Sequence, residues 1–256
     1  MDVPEPFFRQ PTAGGLFEPT DTARGPWGHE TLHGHVLGGL MAHVIEGAHG
    51  DEAFTPARFT VDMFRSPRYA PVTITTRVAR EGKRVRVIDA SLEAGGVEIA
   101  RGSALLLRRA EDPDGSVWTG EPWEVPVPAA LEAPAGERTP VWETRWISGG
   151  QGTADRRRAW MREVRELVEG RPLTPWVRGA MAADFTNPLA NSGDQGLDFV
   201  NADYTLYLHR LPVGEWIGVE ATSHHSTDGV AVASCALYDE GGPIGRSAVG
   251  AVANRR

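Results

Sequence analysis

Thiols and lysines are almost absent from this chain of 256 residues, which has one cysteine and, among 26 basic residues, one lysine (Lys83). A lone Cys235 excludes an internal disulfide framework and any zinc site built from several thiolates. The remaining 25 basic residues are arginines scattered among 34 acids, and the formal charge is −8. That balance excludes a basic surface for nucleic acid. No apolar run approaches the ~20 residues that cross a bilayer as a helix. Residues 1–6 have neither a basic nor an apolar leader region, which points to a cytoplasmic protein. The sequence has no Gly-x-Ser-x-Gly elbow, P-loop, or Gly-x-Gly-x-x-Gly after a strand. A serine hydrolase and a nucleotide cofactor are therefore unsupported, and no cofactor is expected.

What is present is a globular composition, 41% hydrophobic and 23% charged, long enough for one large domain or two small ones. The chain also repeats itself. Shifted by 145 residues, Ala57, Thr60, Arg65 and Pro67 fall on Ala202, Thr205, Arg210 and Pro212. Without a gap, Val85, Val87, Leu92, Gly96, Ile99 and Arg101 then meet Val230, Val232, Leu237, Gly241, Ile244 and Arg246. Each copy reads as four strands: 59–65, 72–79, 85–93 and 99–107 in the first, 204–209, 216–223, 230–239 and 244–252 in the second. Gly95-Gly96 and Gly241-Gly242 supply tight turns. Short links predict an antiparallel meander in each copy.

A helix precedes each set of strands. Val36, Leu37, Leu40, Met41, Val44, Ile45 and Ala48 recur at helical spacing, with Gly38, Gly39 and Ala42 between them. A helix that is apolar or small nearly all round is a buried one. In the second copy Trp176, Val177, Ala180, Met181 and Ala183 play this part, with the helix ending near Asp184-Phe185 and Pro188 expected to stop it. The fold class read from this is α+β, two tandem units, each a buried helix wrapped by an antiparallel sheet. The units are expected at 1–111 and 141–256, joined by a Pro-rich linker at 112–140. Residues 141–147 and 159–167 are expected to add strands to the second sheet. Arg156-Arg157-Arg158 reads as a solvated strand end, with a phosphate clamp as the alternative.

A duplicated helix-plus-sheet unit resembles the double hot-dog fold of the TesB-like acyl-CoA thioesterases. Three local matches carry the resemblance: His33-Gly34-His35-Val36-Leu37-Gly38 at the first helix start, Ala183-Asp184-Phe185 at the second helix, and Asn201-Ala202-Asp203 before the following strand. It covers about residues 27–109 and 159–253. It implies hydrolysis of an acyl thioester to a carboxylic acid and coenzyme A. In that family an Asp, a Thr or Ser, and a Gln hold the attacking water. The Asp matches Asp184. Asn201 stands where the hydroxyl belongs, and the Gln position falls on Val249 or Gly250.

Asp184 is then the candidate base, Asn201 its partner on the water, and the amides of Gly34 and His35 the candidate oxyanion donors. A pocket is expected at the seam between the two helices, because each half fills its own interior. The alternative is an acyl-CoA-binding protein that has lost part of the water-holding triad. His33-x-His35 has no carboxylate at ligand spacing, so no metal is expected. Cys235 reads as a small buried hydrophobe, and His224-His225 as an exposed strand end. The partners expected are a small acyl thioester and further copies of the chain, with no nucleic acid and no membrane span.

Overall fold

The computed structural model describes residues 4–10, 15–25, 28, 30–120, 123–133, 142–150 and 152–254. Parts of the ranges named above, among them residues 1–3, 27, 134–141 and 255–256, lie outside the described residues. The first half contains α1 (Gly34–His49) and strands β1 (Phe54–Met63), β2 (Val72–Arg80), β3 (Val85–Ala94) and β4 (Val97–Arg108). The second contains β5 (Trp142–Ser148), β6 (Arg158–Glu163), α2 (Pro175–Ala183) and α3 (Thr186–Asn191). It ends with β7 (Asp203–Leu208), β8 (Trp216–Thr227), β9 (Val230–Asp239) and β10 (Gly242–Ala253).

All the long strands join one antiparallel sheet in the order β2-β3-β4-β1-β7-β10-β9-β8-β6-β5. Its halves are related as mirrored lists, and the join is the β1–β7 pair. There Thr60 lies opposite Thr205, its own repeat mate, with the hydroxyls 3.1 Å apart. A local two-fold axis therefore passes through the pair of residues that the 145-residue shift superposes.

The order corrects the expected meander. Strands two to four of each unit do run as hairpins, but strand one pairs with strand four. The physical reason is link length. Gly95 and Gly96 both have positive φ, as do Asp228 and Gly229, which suits two-residue hairpin turns. Residues 64–71 and 209–215 are too long for such turns and carry the chain across to the far edge.

Strand alternation sets the core. Ala231, Ala233, Cys235 and Leu237 are fully buried, while Val230 and Val232 between them face solvent. Burial pushes the Cys235 thiol up to about 12, so it serves as packing. The concave face holds α1 and α2 side by side. Gly38 and Gly39 let them approach. A β-carbon on Gly38 would lie 1.8 Å from the Tyr204 hydroxyl, and one on Gly39 2.5 Å from Met181.

Thr174 begins α2, accepting from the Val177 amide at 3.3 Å, and Pro175 takes the first turn, where its missing N–H costs nothing. α2 ends at Ala183 with Asp184 as its C-cap, at the expected place, but Pro188 is not what stops it. The chain turns at Asp184 and Phe185 and starts α3, placing Pro188 in its first turn.

The Pro-rich segment is not a free connector where it is described. Trp123 stacks on Tyr238 at 4.1 Å, and Trp160 Nε1 donates to the Pro126 carbonyl at 2.9 Å. Among the described residues, no helix is long and apolar enough to cross a membrane.

Candidate active site

The turn after α2 positions Asp184. It is the C-cap residue of a buried helix and is only 7% exposed. It lies against the start of α1. A β-carbon on Gly34 would stand 3.0 Å from Asp184 Oδ2 and 3.4 Å from Oδ1, a tight contact that glycine relieves. The start of α1 has no side-chain cap. The Gly34 and His35 amides are thus among the first N–H groups of the helix, which have no partner within it.

Asn201 ends a short strand, Phe199–Asn201, paired to β10. Its Nδ2 donates to Asp184 Oδ1 at 2.9 Å. Burial raises the Asp184 carboxyl from 3.8 to about 6, and the Asn201 hydrogen bond opposes that rise.

A cavity of about 1080 Å³ opens on this group. The first half contributes His33, Gly34, Met63 and Phe64. The second contributes Asp184, Asn201, Thr144 and Trp146, together with the hairpin of Ser192–Gly193 and Gly196–Leu197. Three of the four predicted site residues are thus placed together: Gly34, Asp184 and Asn201. His35 is different. Its ring is wholly buried against Phe7, Trp142 and Phe185, and the residue does not border the cavity.

Val249 and Gly250, where the family's Gln was sought, do not border the cavity either. Val249 is in the core, and the Gly250 amide donates to Asp203 Oδ1 at 2.7 Å. On that strand Val252 and Ala253 reach the cavity, followed by Asn254 just beyond its end.

Sequence reasoning missed several groups. Asn187, three residues after Asp184, is buried on the cavity wall, and its amide donates to the Phe199 carbonyl at 3.1 Å. A polar residue one turn beyond a buried acid was the available signal. Arg157 is a correction, because it is 3% exposed rather than a solvated strand end. Its Nε donates to Gly150 at 2.9 Å. Its Nη atoms donate to the carbonyls of Ser192 (2.5 Å), Leu189 (3.4 Å), Gly193 (3.5 Å) and Thr153. A guanidinium has five N–H groups, and these bonds use them all, so Arg157 has no donor left to clamp a phosphate. It ties two loops together beside the cavity. His33 and His35 hydrogen-bond each other through their Nδ1 atoms, at 2.6 Å.

The fold has counterparts among solved structures. A hot-dog-fold protein of unknown function from Alicyclobacillus acidocaldarius superposes with a TM-score of 0.74 at 16% identity, covering 96% of this chain and 95% of that one. The tesB protein of Mycobacterium avium subs paratuberculosis gives 0.71 at 15% identity, covering 94% of each chain. An acyl-CoA thioesterase II from Mycobacterium marinum gives 0.67 at 14% identity, covering 97% of this chain and 96% of that one. At such identities the likeness shows the hot-dog fold alone. No curated protein matches by sequence. The sequence itself carries the family: residues 23–107 match the acyl-CoA thioesterase N-terminal domain and residues 112–248 the acyl-CoA thioesterase C-terminal domain. With both domains matched in order, the chain belongs to the acyl-CoA thioesterase family, a family of thioester hydrolases.

Proposed function

We propose that this protein hydrolyses an acyl-CoA at the seam between its two halves, with Asp184 as the base that activates water. The carrying observation is the Asp184–Asn201 pair set against the uncapped start of α1 on a large cavity. Asn201 uses its Nδ2 on Asp184, which leaves its Oδ1 to accept from a water. The water's other proton points to Asp184. Attack on the thioester carbon moves that proton to the carboxylate and charge to the carbonyl oxygen. The Gly34 and His35 amides, at the positive end of the α1 dipole, face that charge. Collapse of the tetrahedral adduct breaks the C–S bond, releasing the acid and coenzyme A. A cytoplasmic location fits a single unpaired thiol and a diffusible substrate.

A thiol-release assay over a panel of acyl-CoAs tests this. Turnover with at least one chain length is expected, and binding without turnover would instead support a non-catalytic acyl-CoA-binding protein. The carboxylate must be ionised to act, so kcat/KM is expected to fall with falling pH through about 6, the value of Asp184. Asn201→Ala removes the hydrogen bond that favours the ionised form and should move this acid limb to higher pH. A limb that stays in place assigns the titration to another group.

A further inference from the structure

Behind the cavity wall lies a chain of three titratable side chains that the hydrolysis at Asp184 does not use. His33 borders the cavity and bonds through Nδ1 to Nδ1 of His35 at 2.6 Å, the rings nearly perpendicular. Among the described residues the other nitrogen of His33, Nε2, has no hydrogen-bond partner. His35 points its own Nε2 at Oε2 of Glu163, 3.7 Å away, with both side chains fully buried. Among the described residues, these two facing atoms are buried without a hydrogen-bond partner. Glu163 Oε1 is held by the amides of Val164 at 2.9 Å and Arg165 at 3.1 Å.

A bond between two Nδ1 atoms contains one proton, so each ring's tautomer fixes the other's. Two arrangements satisfy the chain. In the first, Glu163 carries its proton toward His35 Nε2, His35 donates from Nδ1, and His33 carries a proton on Nε2 at the cavity. In the second, every proton has moved one place outward. Glu163 is then a carboxylate, already supplied with two amide donors.

We propose that Glu163, acting through His35, supplies the proton that His33 hands to the departing coenzyme A thiolate. The inference rests on the hydrolysis proposed above. As the C–S bond breaks, its electron pair goes to sulfur and the His33 Nε2 proton follows. The His35 Nδ1 proton replaces it at His33 Nδ1, and the Glu163 proton moves to His35 Nε2. The acid product ionises to solvent. The proton taken by Asp184 returns through cavity water to His33 Nε2, and each step of the chain reverses.

Burial supports the first arrangement as the resting one. It raises the Glu163 carboxyl to about 8 against the opposing hydrogen bonds from the Arg165 and Val164 amides and the charges of Arg165 and Arg178, and it lowers His35 to about 3 and His33 well below 6.5, assisted there by His35. These directions favour neutral rings and a protonated acid at neutral pH, which is the first arrangement.

Two thioesters of one acyl group test the relay: the acyl-CoA, whose alkyl thiolate needs a proton, and the nitrothiophenyl thioester, whose thiolate leaves without one. Glu163→Gln keeps size and can still donate to His35, but it cannot surrender a proton. The expected result is a loss in kcat of about 10- to 100-fold on the acyl-CoA, with KM little changed and a much smaller loss on the aryl thioester. His33→Gln, at the cavity rather than in the core, should show the same dependence on leaving group. Equal losses on both thioesters, or no loss on the acyl-CoA, overturn the relay alone. A wild-type protein inert on both overturns the hydrolytic reading of the site and the relay with it.

Discussion

Asp184→Asn is expected to lower turnover by about 10²- to 10⁴-fold while leaving acyl-CoA binding nearly intact. Asparagine fills the same space against Gly34 and can still accept from Asn201, but it cannot take a proton from water. The same change should stabilise the protein at neutral and alkaline pH. The folded carboxyl titrates near 6 instead of 3.8, so between those values the folded state binds more protons than the unfolded one. Stability is therefore lost as pH rises through that window. Above pH 6 the penalty is complete at about 3 kcal/mol. Chemical denaturation should show the variant and the parent alike at pH 4, and the variant the more stable at pH 8. Unchanged turnover would move the base elsewhere, and equal stability at both pH values would mean that the acid is hydrated.

Gly38→Ala is expected to destabilise the fold and slow the reaction together. The added methyl would stand 1.8 Å from the Tyr204 hydroxyl oxygen and 2.9 Å from its ring. Tyr204 cannot retreat: it is fully buried, donates to the Ala180 carbonyl of α2 at 3.1 Å, and meets Phe59 edge-on. Overpacking of this kind costs about 1–3 kcal/mol or more, against a helix-propensity gain of about 1 kcal/mol. The collision with backbone-anchored groups puts the net near the upper end, about 2 kcal/mol, or a melting temperature lower by about 4–8 °C at this length.

If α1 moves to relieve the clash, the Gly34 amides move with it relative to Asp184. A shift of about 1 Å at a reacting geometry can cost about 10² in rate. Adding Tyr204→Phe removes the closest atom and should restore part of the loss, a coupling that a double-mutant cycle reads directly. A Gly38→Ala protein of parental stability would show that the helices are packed less closely than this.

Much of the scaffold is visible in local pattern. Alternation at Ala231, Ala233, Cys235 and Leu237, helical spacing at Val36, Leu40 and Ile45, and glycine pairs at the turns all act between near neighbours. The repeat also carries long-range information, because a duplicated unit closes on its own copy. Equal spacing of Thr60 and Thr205 thus foretells which residues meet on the axis. Strand order within each unit was not visible, because link length permits a crossover without requiring one.

The candidate site divides along the same line. By itself the sequence determined that an acid, Asp184, falls at the end of an apolar helix, that a glycine opens the other helix, and that Asn201 precedes the matching strand. Only the tertiary structure decided that Arg157 is buried among carbonyls, that the His35 ring turns inward toward Glu163, and that Asn254 rather than position 249 or 250 reaches the cavity. Periodicity assigns a residue to a face of its own element. What that face meets, and whether a charge there keeps its water, depends on segments more than a hundred residues away, whose packing no local pattern encodes.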